Sequence, residues 1–553
     1  MISRIYFDIA ALPIFLIIIC TAISRGMTKG RSNRLFLVVL ASAFMADLAE
    51  VLEQFAYAGG FPIGAGQIAW VKVCEYIYFT CRNFTNTWYL LFVFSMTKTW
   101  FRVRPLWKRF LTLVPNLVIL FSLIFNEKTH YIFTVSAEAG YERGSHILIV
   151  YYMATFYMIF GSLYLCFNKK TLTNGVWIAL MSMYVLNVTA VLIQFFYPEL
   201  YIESFAASLT MFFVVLFVQT PETQADPETG IPGYRAFCSE ISKIGVVGHP
   251  VSVVTIVLKN ARQMQHYIGE GLFNSYVRLI ADEIRAYTKR EHLYCDLYYE
   301  YPGIYHAILE DTRFNPAQGI GEIKDKVREK SESVLKTGAR PDTRVACTLF
   351  PGDIDDTDQL LSFEHSFLRF TGVDKIYTHS ADIVKMRAYQ IETNMNEILD
   401  RAIEQQGLKI HYTPAEGDDT RSVLQSVLEL EDASFGVIDA GLLTESVRAR
   451  GLTLRLGNYV LEQVFSYAGS QRFKESEYDQ IRVFVSVVEC MQMDFTDHIW
   501  ELREKYDVHP EQICFCISES VYESMSSVLE ENLKKLAALG YGIERSGAEA
   551  ETE

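Results

Sequence analysis

Over the first 220 residues apolar positions run on almost without charge, and seven stretches approach the roughly 20 residues a helix needs to cross a bilayer. They lie at about 5–24, 35–56, 68–97, 108–126, 146–167, 174–196 and 202–220. No small-residue cleavage pattern follows the first, so it reads as a span and not as a removed signal. The loop after span 1 carries Arg25, Lys29, Arg31 and Arg34, and the loop after span 3 carries Lys98, Arg102, Arg104, Lys108 and Arg109. Lys169 and Lys170 follow span 5, whereas the opposite loops hold only Lys128 and Arg143. Basic residues favour the cytoplasmic side, which places the N-terminus outside and the C-terminus inside.

From about residue 223 the pattern changes to short apolar runs alternating with amphipathic segments. "VSVVTIVL" (251–258) predicts a buried strand, and "FNSYVRLIADEIRAY" a helix with apolar spacing of three and four. "YYEYPGIYHAILED" (298–311) predicts a hairpin. Its Pro302-Gly303 pair suits a type II turn, because proline presets φ and glycine accepts a positive φ. Helix "GIGEIKDKVREKSESVLK", strand "TRVACTLF" and helix "TDQLLSFEHSFLRF" follow. This order predicts an α/β sandwich with a mixed central sheet. A second series starts with a helix over 389–406 and continues through strands "LKIHYTP", "SVLQSVLEL", "RVFVSVVECMQMDF" and "ICFCISES", with helices between them.

The net charge of −15 argues against a generic nucleic-acid surface, which is basic. The ten cysteines include no CxxC pair with metal spacing; Cys514 and Cys516 share one face of a strand. They read as reduced, structural cysteines, and no metal or cofactor is expected. Charges within spans are costly and need partners. Spans 2 and 3 carry Asp47, Glu50, Glu53, Lys72, Glu75 and Arg82. Folding these antiparallel helices together brings Glu50 and Glu53 towards Lys72, and Asp47 towards Arg82. Two readings stay open: ion pairs that fix helix packing, or a polar pocket for an extracellular small ligand.

The membrane part resembles, by architecture, the seven-helix sensor domains of some bacterial histidine kinases and cyclic di-GMP signalling proteins. Residues 223–380 resemble a GGDEF domain, the diguanylate cyclase fold. Its opening pattern stands here as Asp226-Pro227-Glu228-Thr229-Gly230-Ile231-Pro232-Gly233-Tyr234-Arg235-Ala236-Phe237, with Asp226, Thr229, Gly230 and Phe237 matching. The resemblance puts the five hairpin-motif positions at Tyr301, Pro302, Gly303, Ile304 and Tyr305, none of them acidic. It puts the first-strand metal aspartate near Val257, and the substrate-contacting positions near Gln265 and His266. Joining two GTP molecules needs carboxylate-held metal ions, so these residues imply a cyclase site without its chemistry. The four nearby tyrosines Tyr298, Tyr299, Tyr301 and Tyr305 have two readings, a stacking surface for a base or strand-forming aromatics that fill the nucleotide's space.

Residues 389–545 resemble an EAL domain, a cyclic di-GMP phosphodiesterase barrel. Glu-Ala-Leu becomes Gln425-Ser426-Val427, the metal-binding Asn becomes Ser486, and one acid, Glu519, is kept. The sequence ends just where the family gives its next strand and an Asp-Asp pair, so a partial barrel is expected. The fold class is therefore an all-α seven-helix membrane bundle, then an α/β GGDEF-like sandwich, then a partial, EAL-like α/β barrel. The expected domains are 1–222, 223–385 and 386–545, with a disordered tail over 546–553. The expected protein is a multi-pass receptor or scaffold of the bacterial inner membrane with cytoplasmic C-terminal domains. It is inactive as cyclase or phosphodiesterase, and it relays a signal through a homodimer or a cytoplasmic protein partner. The alternative is an effector that binds cyclic di-GMP or GTP. An active enzyme fails on the missing carboxylates.

Overall fold

The computed structural model describes residues 6–24, 30–57, 64–137, 140–197, 202–218, 226, 229–310, 316–335, 341–372, 375–405, 407–415, 423–518 and 527–546. The chain divides into two compact units, 1–365 with 374–380, and 366–373 with 381–553.

Each of the seven apolar stretches forms a helix: α1 (Tyr6–Ser24), α2 (Arg31–Tyr57), α3 (Ala65–Met96), α4 (Leu106–Ile124), α5 (Leu148–Phe167), α6 (Asn174–Phe196) and α7 (Glu203–Val218). Among the described residues, five of them (α1, α2, α4, α5 and α6) are long and apolar enough to cross a membrane. The charged and polar residues of α3 and the 16-residue length of α7 keep those two out of that set. Phe15, Phe36, Tyr89, Phe92, Leu180 and Met211 pack the common core.

A short antiparallel hairpin, β1 (Phe133–Ser136) with β2 (Gly140–Arg143), lies between α4 and α5. The sequence pattern does not announce it, since each strand has only four residues. It is held from below. Asn126 Oδ1 accepts from the Ile132 and Phe133 amides at 2.8 and 3.3 Å, while its Nδ2 donates to Phe133 O at 2.8 Å. Phe79, Ile119 and Leu123 of α3 and α4 pack against Phe133.

After the helices, α8 (Tyr234–Val247) leads into a five-stranded mixed sheet of β3 (Val251–Leu258), β4 (Cys295–Glu300), β5 (Ile304–Leu309), β6 (Thr343–Phe350) and β7 (Tyr377–His379). The order is β4-β5-β3-β6-β7, antiparallel except for the last pair. All eight residues of β3 are buried, as expected for a strand covered on both faces. On one face, α10 (Glu270–Arg290) supplies Tyr276, Val277 and Ile280 against Ile256, Tyr299, Tyr305 and Val345, with Val327 of α11 (Pro316–Leu335) behind them. On the other, Phe237 of α8 stacks on His306 with centroids 4.2 Å apart.

In the second unit the helix read over 389–406 breaks into Arg387–Thr393 and Met395–Glu404 at Asn394. A sheet then runs β10-β9-β11-β12-β13, with β8 (Leu408–Pro414) also pairing to β9. The other members are β9 (Val423–Asp432), β10 (Gly436–Ile438), β11 (Gln480–Phe484), β12 (Ile513–Ser518) and β13 (Gly542–Ser546). β9, β11, β12 and β13 are parallel neighbours, β8 and β10 antiparallel ones. Among the described residues this sheet is an open path. β13 corrects the sequence reading, which ended the domain before a further strand. "GIERS" has a single strongly apolar residue, too weak an alternation to announce a strand. Ile513, Phe515 and Ile517 bury one face of β12 against Val464, Phe465, Leu533 and Leu536. The expected tail beyond 546 lies outside the described residues.

Candidate functional site

The hairpin of β4 and β5 turns through Tyr301, Pro302 and Gly303, with Glu300 opposite Ile304. The Tyr301–Pro302 peptide is cis. Gly303 takes φ +87°, and a Cβ there would lie 2.7 Å from Ala261 Cβ and 3.2 Å from Leu258 Cβ. Gly303 O also accepts from the Leu258 amide at 3.0 Å. The turn is thereby seated on the junction between β3 and α9 (Ala261–Ile268), with no gap at the point of contact.

The tyrosines complete this closure. Tyr305 is fully buried and donates to Val277 O at 3.1 Å. Tyr299 is buried beside it, centroids 5.2 Å apart, and its hydroxyl oxygen accepts from the Gly303 amide at 3.1 Å. Tyr301 is exposed, and its hydroxyl donates to Gln265 Oε1 of α9 at 2.7 Å. Val257 is buried in β3 opposite Ile304. His266 lies next to Gln265 on α9, with its ring against Tyr267. The hairpin, Val257, Gln265 and His266 therefore belong to one end of the sheet.

The described acids near the turn are already engaged. Glu300 lies 3.4 Å from His306 Nε2, and Glu364 lies 3.1 Å from His306 Nδ1. Burial opposes charge on His306, but its hydrogen bonds to Glu300 and Glu364 outweigh it and raise the pKa above the ordinary value. Burial also raises Glu364. Glu310 accepts from Arg31 at 2.7 and 3.3 Å. The upstream Asp226 caps its own turn, with Oδ1 accepting from the Thr229 amide at 2.7 Å and hydroxyl at 2.9 Å. Tyr299 N then donates to Pro232 O at 2.8 Å, tying that segment to β4.

In the second unit Gln425 sits within β9, opposite Thr413 and Arg482. Ser486 caps the short helix Val487–Cys490; its hydroxyl donates to Glu489 Oε2 at 2.6 Å and accepts from the Glu489 amide at 3.2 Å. Glu519 lies outside the described residues. Sequence reading missed the group beside Gln425. Arg482 pairs with Glu544 through Nε–Oε2 at 2.8 Å and Nη2–Oε1 at 2.9 Å. Cys514 and Cys516 lie buried next to that pair, with Cys516 Sγ 3.8 Å from Glu544 Oε2. The shared strand face of the two cysteines was legible; Glu544 was not, because its strand was not.

Of the intramembrane charges, Asp47, Glu53 and Glu75 are buried, while Glu50 is half-buried. Lys72 donates to Glu127 at 2.8 Å, and Arg82 pairs with Glu203 of α7 while lying near Asp47 and Glu50, the approach of Asp47 to Arg82 that the sequence suggested. Lys72 stands in the first turns of α3, where its long stem carries the ammonium group to a carboxylate beyond the end of α4. Asp8 of α1, buried and unremarked in the sequence, neighbours Asp47 and Arg82.

The basic loops also find partners. Arg31 stacks on Tyr294 at 3.8 Å and on Trp100 at 4.7 Å while bonding Glu310. Lys98 pairs with Glu240 of α8 and lies 3.8 Å from Asp296 of β4. Burial opposes charge on Lys98, but Glu240 and Asp296 raise its pKa and hold it protonated. Phe101 stacks on His249 with centroids 3.8 Å apart. Residues flanking α2 and α3 thus grip the first α/β domain through α8, β4 and β5.

Residues 396–546 match the family described as EAL domain. No curated protein matches the chain. Among solved structures, the S helix-GGDEF-EAL portion of Vibrio cholerae LapD bound to c-di-GMP is similar at 12% identity and TM-score 0.38. It covers 59% of this chain and 77% of that one. The FimX EAL domain of Xanthomonas citri, in complex with c-di-GMP, gives 17% identity and TM-score 0.24, covering 28% of this chain and 60% of that one. The FimX EAL domain of Pseudomonas aeruginosa bound to c-di-GMP gives 16% and 0.24, with 28% and 62% covered. The chain thus spans less than two thirds of these two EAL structures.

Proposed function

We propose that this chain is a membrane-embedded signalling receptor or scaffold, related to cyclic di-GMP turnover proteins, that relays a membrane or extracellular signal through cytoplasmic protein contacts without catalysis. The grip of Arg31, Lys98 and Phe101 on the first α/β domain carries this reading. A shift of α2 against α3 moves Glu310, Asp296 and His249 directly, and those residues lie on or beside the strands that bear the hairpin. The seven helices act as spans, with the N-terminus outside and residues 223–385 and 386–545 as cytoplasmic modules. This topology places the Arg31 and Lys98 loops on the cytoplasmic side, where positive charge is favoured.

Catalytic silence follows from charge. Val257 and the five residues 301–305 offer no carboxylate, and the neighbouring Glu300 and Glu310 are held by His306 and Arg31. A metal-assisted phosphoryl transfer has no ligand set there. Full-length protein in nanodiscs, given GTP or cyclic di-GMP with Mg²⁺ or Mn²⁺, is expected to show no turnover. It is expected to self-associate or capture one cytoplasmic partner, and an Arg31→Glu charge reversal is expected to weaken that association. Any nucleotide turnover, or the absence of both self-association and a specific partner, overturns the proposal.

The EAL match over 396–546 favours a second reading, a cyclic di-GMP effector, since the similar EAL structures carry that nucleotide. Calorimetric titration of the full-length protein with cyclic di-GMP distinguishes it: saturable binding supports the effector, and none leaves the relay.

A further inference from the structure

We propose that the second α/β domain binds one thiophilic divalent cation of the zinc class, held by Cys514 and Cys516 of β12 and Glu544 of β13. The three ligand atoms lie within 4.8 Å of one another, and Cys516 Sγ is 3.8 Å from Glu544 Oε2. Zinc bonds of about 2.3 Å to sulfur and about 2.0 Å to oxygen place those two atoms about 3.5 Å apart in a tetrahedron, so closure needs only a small side-chain movement.

Burial alone could make these cysteines small core residues. Their direction argues otherwise. Ile513, Phe515 and Ile517 turn one face of β12 into the apolar core. Alternation points Cys514 and Cys516 to the opposite face, which is polar. There β11 offers Arg482 in register with Cys514, and β13 offers Glu544 in register with Cys516. The strand next to Cys514 carries glycine in register. A Cβ on Gly542 would meet Cys514 Sγ and Cβ at 3.0 Å, so glycine makes the room this thiol occupies.

Charge balance also fits. Two thiolates, one carboxylate and a divalent cation sum to −1, and the Arg482 guanidinium beside them brings the group to zero. Arg482 orients Glu544 through one hydrogen bond, from Nη2 to Oε1, and a close ion pair, the outer-shell support that metal-bound carboxylates use. Three protein ligands leave the fourth position to water. The ligands come from two strands 28 residues apart in sequence, which is why no linear spacing signals the site.

The test uses the full-length protein purified without chelator. Zinc content is expected at about one ion per chain. Cobalt exchanged into the site is expected to show thiolate-to-cobalt charge-transfer absorption that zinc abolishes. Cys514→Ser and Cys516→Ser are each expected to lose this band, Glu544→Gln to weaken cobalt binding by roughly tenfold, and Cys347→Ser, in the first α/β domain, to leave it unchanged. Should the serine variants fail to fold, the wild-type protein decides: added zinc is expected to protect Cys514 and Cys516 from alkylation, read residue by residue by mass spectrometry. No cobalt–thiolate band in the wild type, a band that survives the double serine variant, or alkylation unaffected by zinc each overturns the proposal.

Discussion

The hairpin of the first α/β sheet has no carboxylate at 301–305, and the polar row of the second sets Glu544 beside two cysteines, so the two sheets use their ends differently. At the hairpin, Gly303 rests on Ala261 and Leu258, and Tyr299 and Tyr305 fill the interior beside it. In the second sheet, Gln425, Arg482, Cys514, Cys516 and Glu544 keep a row of polar and nucleophilic groups along one face. A site that trades charge for aromatic packing gains core, since a buried tyrosine removes a large apolar area from water. A site that trades one donor set for another keeps a capacity to bind. Substitutions at the two glycines and around His306 and Tyr305 can separate these outcomes.

The largest effect is expected at the hairpin. Gly303→Val forces a β-branched residue into φ +87° and drives its Cβ to 2.7 Å from Ala261 Cβ. A cost of about 3 kcal/mol or more is expected in denaturant unfolding of the detergent-solubilised protein. A cost below about 1 kcal/mol would mean the turn is loosely seated, and the contrast with the second sheet would fail.

Next in size is a pH dependence on the far face of the first sheet. His306 and Glu364 both have folded pKa values raised above 6.5 and 4.5. The folded state therefore holds more protons than the unfolded chain. The histidine's contribution is fully present below 6.5 and fades as pH rises through its raised value. The glutamate's fades in the same direction from 4.5 upward. Melting temperature is expected to fall as pH rises above about 6.5, and a His306→Gln, Glu364→Gln double variant to flatten that slope. An equal slope in the double variant places the titration elsewhere.

How far the sequence led depended on how each element announces itself. β3, β6 and α12 (Thr357–Phe370) fall on the runs read from apolar spacing, because strands covered on both faces and amphipathic helices leave strong periodic signals. Hairpin position and the positive φ at Gly303 were legible from Tyr301-Pro302-Gly303, whereas the cis peptide was not, since proline is compatible with either isomer. β1, β2 and β13 escaped because they are four or five residues long with weak alternation. The intramembrane charges were plain, whereas their partners depended on α7 and on the end of α4, elements that spacing within α2 and α3 says nothing about. The candidate metal ligands were half visible for the same reason: Cys514 and Cys516 share a strand, and Glu544 joins them only through sheet order.

A smaller effect tests the filling of the hairpin end directly. Tyr305→Phe removes one buried hydroxyl and leaves Val277 O without that donor. About 1 kcal/mol of stability is expected to be lost, with no change in any nucleotide response. A changed response to guanine nucleotide, read by calorimetry, would mean the tyrosine serves a ligand instead of the core.

The smallest effect is expected at Gly542, where the obstacle to a Cβ is a thiol and not backbone. Cys514 Sγ and Cβ and Gln480 Nε2 are the neighbours, at 3.0, 3.0 and 3.2 Å, and a side chain can swing away where a packed turn cannot. Gly542 also lacks the positive φ of Gly303. Gly542→Ala is therefore expected to cost about 1 kcal/mol or less, while displacing Cys514 from its place beside Cys516. Cobalt affinity should then fall although the fold survives. This split between stability and metal binding has no counterpart at Gly303, where the added Cβ disturbs packing alone. If Gly542→Ala instead unfolds the domain as severely as Gly303→Val, the polar row is as closely packed as the hairpin, and the contrast between the two sheets fails.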